Sequence, residues 1–582
     1  MTETESLPAP PKNTKRWRVA RRLLIAAAVF LTLIVAFYTE ESWRGRRDWE
    51  ACKKIMESKG ISMDWANYIP PPVPDDQNVF GIPEMQKWFT GRGATELSKR
   101  LAAGRDTNMT SERMVVALVT IGATDAPQPK GSTAVQWDGL KAARQVSRLI
   151  SNAVGPVLMS PDEFLHSARR PSEIAPAIIF LQRDPALTAK ELGQFLPKLM
   201  PPEWNGYPWY WNLQVESTSD SSYKVTVRAP IAAADFLARN AQFTPDFELI
   251  RTALQRPDVR ERGDYQNFWE MPVPNFVTVR TTAQRLAALA QCQLLQDHPE
   301  EALKNVLLLH DLCRILVNRP SGKPVTLVGA MIDVAVTGLY AQVISDGLAG
   351  HRWKEPQLVT LQEQLGQIQL LPEVRSACIA EPVAVCTELE NMPQGRLPGF
   401  YRRGSPTNTW EDMKWTLLGH LTPRGWVYEN LVRIAFGATN IIDNLDPAGQ
   451  VILPNTLNAG VQALGAIRSH PWPYAFLAKG TAPKYDRALL VTAKNQTMVR
   501  QGLIACGLER YHLAHNAYPE TLAALVPQFL AAIPSDIIGG QPMHYHQIDD
   551  GSFLLYSVGW NETDDGGKRD SDEDWVWDNS AR

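Results

Sequence analysis

Three aspartates alternate with other residues near the end of this 582-residue chain: Asp570, Asp572 and Asp574. A hard cation such as calcium takes about six to eight oxygen ligands, mostly carboxylates and carbonyls, so this spacing could supply part of a calcium site. It imitates the start of an EF-hand loop, but Trp575 occupies the glycine position of that loop and Ala581 its closing glutamate position. A solvated acidic tail without metal explains the same residues, and both interpretations stay open.

Two histidine pairs also have the spacing of residues on one face of an element. His544 and His546 are two residues apart, as on a strand, whereas His512 and His515 are three apart, as on a helix. Either pair could contribute to a metal site, but no cysteine or carboxylate completes a ligand set at a recognisable spacing. Surface histidines without a metal are the favoured interpretation.

Motifs for nucleophilic, metal-assisted or nucleotide chemistry are missing from the sequence. There is no GxSxG, HExxH, GxxxxGK[ST] or dinucleotide glycine fingerprint, and the SxxK match that begins at Ser221 enters an alternating strand pattern. We therefore predict no catalytic or cofactor-binding residue. The Trp- and Tyr-rich stretch 204–228, whose aromatic rings could stack on sugars, leaves a glycan-acting envelope hydrolase as the alternative function.

The C-terminal elements follow a specific order of motifs. A long helix ends in Leu508-Glu509-Arg510-Tyr511-His512-Leu513, and Tyr518-Pro519, Pro534-Ser535-Asp536 and Leu555-Tyr556-Ser557-Val558-Gly559 come after it. This order resembles the soluble domain of the major pseudopilin of type II secretion, which implies an α+β module at 481–582 with a long helix and a small antiparallel sheet. Two features depart from that family: Ile537 and Ile538 replace its Pro-Trp, and the prepilin processing signal is absent around residues 20–40.

The same resemblance implies a calcium ion between the loop after Gly559 and an acidic loop near the C-terminus. Carried over to this sequence, the expected ligands are Ser557, Asn561, Asp570, Asp572 and Asp574. The family usually has Asp at the position of Asn561, so this chain would lack one negative charge of the site. Ca²⁺ is therefore the expected cofactor, with the metal-free tail as its alternative.

The N-terminal region combines a basic segment with an uncharged apolar run. Residues 1–22 contain six Lys or Arg and two Glu, and residues 23–38 contain no charge. A membrane-spanning helix needs ~20 apolar residues, a length that this run reaches if the arginines snorkel and Trp17 and Trp43 lie at the interfaces. A cleaved signal peptide is the alternative, although residues 36–40 form a poor cleavage site. By the positive-inside rule we expect a single-pass inner-membrane protein with a cytoplasmic tail at 1–22 and an extracytoplasmic body.

Hydrophobic periodicity predicts a mainly helical chain with minor β structure. We expect a helical stalk and a stiff Pro-rich spacer at 39–75, a mixed α/β region at 76–245 and a helical bundle at 246–392. An irregular wrapping segment should follow at 393–480, with short helices only at 427–436 and 458–467. Strands are predicted at 115–121 and 223–228, and an amphipathic helix at 138–152. The apolar stretch 325–344 contains one charge, Asp333, which would cost about 2.5–3.5 kcal/mol in mid-membrane, so a buried core helix is favoured over a second span.

Cysteine spacing and charge exclude several classes of protein. The six cysteines show neither CxxC nor zinc spacing, so buried free thiols are expected, with a Cys292–Cys313 disulfide across a helical hairpin as the alternative. The body carries no basic stripe, which argues against nucleic-acid binding. The favoured function is a membrane-anchored, extracytoplasmic scaffold or interaction protein whose C-terminal module binds calcium or an envelope partner.

Overall fold

The structure of the protein is a computed structural model, which describes part of the chain. The predicted helix at 138–152 and the side chains of 204–228 lie outside the described part. The described residues are 14–103, 115–119, 177–182, 212–217, 222–228, 233–317, 326–397, 409–442, 445, 451–457, 473–481, 485–548, 552–568 and 573–577.

The protein is mainly helical, as the periodicity predicted. The described helices are α1 (Thr14–Ser58), α2 (Pro83–Phe89), α3 (Glu96–Ala103), α4 (Ala233–Asn240), α5 (Thr244–Ala253), α6 (Phe276–Leu295), α7 (Pro299–Asp311), α8 (Leu327–Ala349), α9 (Glu355–Gln367), α10 (Leu370–Asn391), α11 (Thr409–Leu421), α12 (Arg424–Ile442), α13 (Phe476–Thr481) and α14 (Tyr485–His515).

Two small sheets accompany the helices. The first contains β1 (Val115–Val119), β2 (Ala177–Gln182), β3 (Asn212–Ser217) and β4 (Ser222–Arg228) in the order β1-β2-β4-β3, with β1 and β2 parallel and the other pairs antiparallel. The second contains β5 (His544–Gln547), β6 (Phe553–Ser557) and β7 (Trp575–Trp577), all antiparallel. Strands β1 and β4 lie where the sequence predicted them, and the second sheet is the predicted small antiparallel sheet.

The N-terminal apolar run and the segment predicted as a separate stalk form one continuous helix. No proline occurs within α1, and its C-terminal end is followed by Gly60, which has a φ of 75°. The apolar half of α1 is exposed along its length, whereas Trp49, Cys52 and Met56 in the second half are buried. The helix is therefore long and apolar enough to span a membrane at one end and is part of the hydrophobic core at the other.

The Pro-rich segment lies on the folded body, which differs from the expected spacer. Trp65 is buried and donates its indole N–H to the carbonyl oxygen of Tyr265 at 2.8 Å. Arg260 donates to the carbonyl oxygen of Pro70 at 3.1 Å, and Arg256 donates to that of Asp75 at 2.8 Å. These arginines satisfy carbonyl groups that an extended, proline-containing backbone cannot pair internally.

Helix α8 is the apolar helix for which a second membrane span was weighed. It is long and apolar enough to cross a membrane, but 61% of its most apolar window is buried, against 0% for α1. It packs against α6, α10 and α14, and Asp333 is buried within it. Burial against protein on several sides favours the core-helix interpretation.

The segment predicted as irregular contains three described helices: α11, α12 and α13. Pro423 and Gly425 read as helix breakers, but Pro423 immediately precedes the first turn of α12, where a proline is tolerated, and Gly425 lies in that turn. Helix α12 packs along both α1 and α10. Local sequence predicted only a short helix at 427–436 here, and packing against α1 and α10 accompanies its extension to Arg424–Ile442.

Helix α14 connects the predicted bundle to the predicted C-terminal module. It contacts α8, α9 and α10, and it also packs against strands β6 and β7. One contiguous hydrophobic cluster runs from Val79 to Trp577 through this helix, so the bundle and the C-terminal segment share a core. All six cysteines are free and buried, as expected, which excludes the alternative Cys292–Cys313 disulfide.

Candidate functional site

Two glycines allow α1 and α12 to cross in backbone contact. A Cβ atom on Gly425 would lie 1.9 Å from the carbonyl oxygen of Glu41, and one on Gly45 would lie 2.4 Å from the carbonyl oxygen of Gly425. Neither position accommodates a side chain without moving backbone. The crossing brings the body directly against the part of α1 that follows its exposed apolar run.

Polar contacts hold the same junction. The carboxylate of Glu41, which is buried, accepts hydrogen bonds from Arg44 at 2.7 Å and from the Tyr474 hydroxyl at 3.1 Å. The hydroxyl of Tyr38, at the end of the apolar run, donates to the carbonyl oxygen of Leu421 at 2.6 Å. A buried carboxylate with two donors is stabilised, whereas one without partners would be costly, so this network fixes where α1 meets the body.

The second candidate site is the loop between β6 and β7, which wraps around Asp574. One carboxylate oxygen of Asp574 (Oδ2) accepts the backbone N–H of Gly567 at 2.7 Å and that of Asp565 at 3.1 Å. Its other oxygen (Oδ1) is buried and has no hydrogen-bond partner among the described residues. A buried carboxylate oxygen without a donor is the kind of atom that a cation would satisfy.

The structure brings three of the five predicted calcium ligands to this region. Ser557 pairs with Trp575, the first residue of β7, so it lies near Asp574, which immediately precedes that strand. Its hydroxyl accepts the N–H of Gly559 at 3.2 Å and also hydrogen-bonds the carboxylate of Asp536. Burial raises the pKa of Asp536, and the bond to Ser557 opposes that rise. The Ser557 side chain is thus engaged with Asp536 as well as lying near the loop.

Asn561 is exposed on the loop and donates to the carboxylate of Asp565 at 2.8 Å, while its own carbonyl oxygen accepts the N–H of Thr563 at 3.1 Å. The other two predicted ligands, Asp570 and Asp572, lie outside the described residues. The described part of the loop therefore offers Asp574 and Asn561, and it adds Asp564 and Asp565.

Sequence reasoning missed Asp564 and Asp565. The carboxylate of Asp564 accepts the Gly566 N–H at 2.9 Å and the Tyr556 hydroxyl at 3.1 Å, and the Gly566 N–H bond is the main reason why its pKa is lowered. Gly566 and Gly567 both have positive φ, which lets the loop turn its N–H groups toward the acidic side chains. The Asp564-Asp565-Gly566-Gly567 run was a signal for such a turn.

Of the two predicted histidine pairs, one shares a common contact and the other does not. His544 and His546 share a face, since both contact the ring of Tyr556, and His544 lies 3.5 Å from Asp564. His515 stacks on Tyr511, whereas His512 stacks on Tyr518, and they do not form a pair. Two residues that sequence spacing did not associate with His512 lie close to it instead: Glu509 and His351.

Comparison with known proteins gave no family assignment. No protein-family model matches the chain, and neither a curated protein nor a solved structure matches it. The resemblance of the C-terminal segment to a pseudopilin therefore stays a prediction, as does the alternative of a hydrolase site at 204–228.

Proposed function

We propose that this protein is a single-pass, membrane-anchored scaffold or interaction protein whose body lies outside the cytoplasm. The observation that carries the proposal is the continuity of α1. Its residues 18–36 are exposed and mostly apolar, and the same helix continues without a break into the buried contacts of Trp49, Cys52 and Met56. Exposed Leu, Ile, Val and Phe side chains over such a length are unfavourable in water and favourable in a bilayer.

Orientation follows from the charges that flank this helix. The six Lys or Arg within residues 1–22 favour a cytoplasmic N-terminal side and an inner-membrane location. The glycine crossing and the Glu41 network attach α12, and through it α10, to the anchor, so the body is held close to the membrane. A fixed attachment of this kind serves presentation of a surface better than a flexible tether would.

The surface to be presented is the C-terminal segment, for which we propose a pseudopilin-like module with a calcium-binding loop. Support comes from a long helix, a three-stranded antiparallel sheet and the unpartnered Asp574 oxygen beside Asp564 and Asp565. Calcium would order the loop that follows β6 and create a surface for an envelope partner. A link to type II secretion rests on the sequence resemblance.

Topology is tested by adding protease to intact spheroplasts that carry the full-length chain with a C-terminal epitope. We expect the epitope to be lost while a short N-terminal fragment is protected. Protection of the epitope would contradict the proposed orientation.

Calcium binding is tested by comparing melting temperatures of the detergent-purified protein in calcium and in chelator. Asp574→Asn is the informative variant, because the amide oxygen can still accept the two backbone N–H groups while the charge is removed. We expect calcium to raise the melting temperature of the wild type, to raise that of Asp574→Asn far less, and to act normally on a control, Asp76→Asn, at an exposed position outside the module. Equal wild-type melting temperatures in both conditions would contradict calcium binding but would not bear on the proposed membrane anchor.

A further inference from the structure

Three potential metal ligands from distant parts of the chain meet beside α14. They are His351, Glu509 and His512, whose ligand atoms all lie within 4.8 Å of one another. His351 Nδ1 is 2.8 Å from a carboxylate oxygen of Glu509. Glu509 and His512 are three residues apart on α14 and so share one of its faces.

The position of His351 is fixed by the turn that ends α8. His351 has a φ of 50°, and the following residue, Arg352, donates its N–H to the carbonyl oxygen of Gly347 at 2.8 Å. The buried indole of Trp353 covers Gly347, where a Cβ atom would lie 2.1 Å from the indole nitrogen. The turn therefore holds the His351 imidazole over α14, although 54% of that side chain is still exposed.

Further contacts orient the other two side chains. The Tyr518 hydroxyl donates to the second carboxylate oxygen of Glu509 at 3.0 Å, and Glu509 is buried. The His512 ring stacks on that of Tyr518 at 4.8 Å, and its Nδ1 is buried without a hydrogen-bond partner among the described residues. In metal sites, hydrogen bonds and packing of this kind orient the ligating side chains before the metal binds.

We propose that His351, Glu509 and His512 bind a zinc ion and leave one coordination position open. Two imidazoles and one carboxylate form an established ligand set for zinc, and imidazole nitrogen disfavours calcium and magnesium. Zinc–ligand distances of about 2.0–2.1 Å place tetrahedral ligand atoms ~3.3 Å apart. Since all three ligand atoms lie within 4.8 Å of one another, no pair must close by more than about 1.5 Å. Rotation of the exposed His351 side chain supplies that movement. This site is separate from the proposed calcium loop.

The experiment uses full-length protein without a histidine tag, purified in detergent, stripped with chelator and titrated with ZnCl₂ by calorimetry. We expect one equivalent of zinc to bind at micromolar or lower concentration and to raise the melting temperature, with no competition from calcium. His351→Gln and His512→Gln should each weaken binding at least tenfold. His515→Gln, at an exposed histidine one turn away, should bind as the wild type does.

Melting temperatures of the variants without zinc show whether they are folded. If a variant misfolds, the wild-type chain is tested instead by modifying its histidines with diethyl pyrocarbonate in the presence and absence of zinc. Mass spectrometry then shows directly whether zinc protects His351 and His512. The proposal is overturned if the wild type shows no saturable binding, if the His351 and His512 variants bind normally, or if zinc protects neither histidine.

Helix α11 exposes a stripe of large apolar side chains on the protein surface. Trp410, Met413, Leu417 and Leu421 are all more than half exposed. At 100° per residue these four positions fall within about 80° of one another on the helix surface, along ~17 Å of helix. Exposure of so many large apolar groups on one face of a helix marks an interaction site.

The position of α11 next to the apolar run of α1 indicates which partner covers this stripe. Its last residue, Leu421, accepts the hydrogen bond of Tyr38, at the end of the apolar run of α1, and the ring of Phe37 contacts that of Trp426 just after α11. We infer that α11 lies in the membrane interface beside α1, with its apolar stripe in the lipid. This inference rests on the proposed membrane anchor. A helix with one apolar face beside a spanning helix has the chemistry of an interfacial helix.

Single cysteines labelled with an environment-sensitive dye test this inference, because the six native thiols are buried. Full-length Leu417→Cys and Met413→Cys are compared with Lys304→Cys, at an exposed position on α7, in nanodiscs of phosphatidylethanolamine and phosphatidylglycerol. We expect blue-shifted emission and quenching by doxyl-labelled lipid at 413 and 417 but not at 304. Water-like emission at 417 would overturn the inference, and so would blue-shifted emission without lipid quenching, which indicates a protein partner. The anchor itself is checked separately by carbonate extraction of the wild type.

Discussion

Replacement of Gly425 by alanine is the sharpest test of how the anchor is attached to the body. The new methyl group would lie 1.9 Å from the Glu41 carbonyl oxygen, whereas an ordinary contact is about 3.4 Å. Since both atoms belong to helix backbones, α1 and α12 must separate by about 1.5 Å, and the packing of Trp49 against Val427 and Leu431 loosens with them. Overpacking of this kind costs about 1–3 kcal/mol, and contact with backbone places it near the upper end.

Alanine substitutions at two further glycines give a series in which the expected loss of stability is graded. Gly45→Ala meets backbone at 2.4 Å and should cost less than Gly425→Ala, while Gly366→Ala on α9 meets nothing within 4 Å. Because alanine favours helix over glycine by about 0.5–1 kcal/mol, Gly366→Ala should leave stability unchanged or raise it. We therefore expect Gly425→Ala to lie at least ~2 kcal/mol below Gly366→Ala in free energy of unfolding.

The assay is a urea titration of the full-length protein in detergent, followed by tryptophan fluorescence, with the slope compared between variants to confirm that the same unfolding transition is observed. Trp49 is one of 18 tryptophans and belongs to the hydrophobic cluster that α1 and α12 share, so part of the emission reports on this interface. If Gly425→Ala and Gly366→Ala unfold at the same urea concentration, α1 and α12 do not cross in backbone contact, and the rigid attachment of the anchor is refuted.

Two other predictions concern buried groups. Burial raises the pKa of Glu261 from 4.5 to about 7, so the folded protein binds more protons than the unfolded chain between these values and its stability falls as pH rises through that window. Glu261→Gln should remove this dependence and be more stable than the wild type above pH 7 by up to roughly 3 kcal/mol. Urea titrations of both proteins at pH 5 and pH 8 check this. The prediction is contradicted if the free energy of unfolding changes equally with pH in the two proteins. Burial also raises the pKa of the six cysteine thiols, to about 12 for Cys52 and Cys292, so maleimide should label none of them in the native protein and all of them in urea. Native labelling of any one thiol would show that its surroundings are more open than the structure indicates.

The elements that could be predicted from sequence are those whose signal is local. The exposed apolar run of α1 and the apolar run of α8 were evident from composition, and burial of Asp333 agrees with placing α8 in the core. Strand β4 was evident from its alternation, and β1 is a short apolar run that was also predicted as a strand. In each case a period or a run within about twenty residues contains the information.

The features that escaped prediction depend on contacts between distant residues. Gly425 reads as a helix breaker until its partner Glu41, far away in sequence, is known to require the space. His351 and Glu509 are 158 residues apart, so no spacing could associate them. The expected calcium ligand Ser557 lies at the end of β6, but its bond to Asp536 depends on how the sheet packs and could not be predicted.

The contacts between the acidic loop and α1 bear on whether the protein is a scaffold or a switch. Gln501 on α14 donates to the Trp575 carbonyl oxygen at 2.6 Å, and Trp577 packs on Gly502, so the residues that follow Asp574 are attached to α14. From α14 the contacts continue through α10 and α12 to α1. Coupling between two sites requires an element with two discrete arrangements, and close backbone packing at Gly425 opposes a second one. Since a ligand that binds the acidic loop would therefore order it locally without moving the anchor, presentation of a fixed surface is the role that this architecture supports.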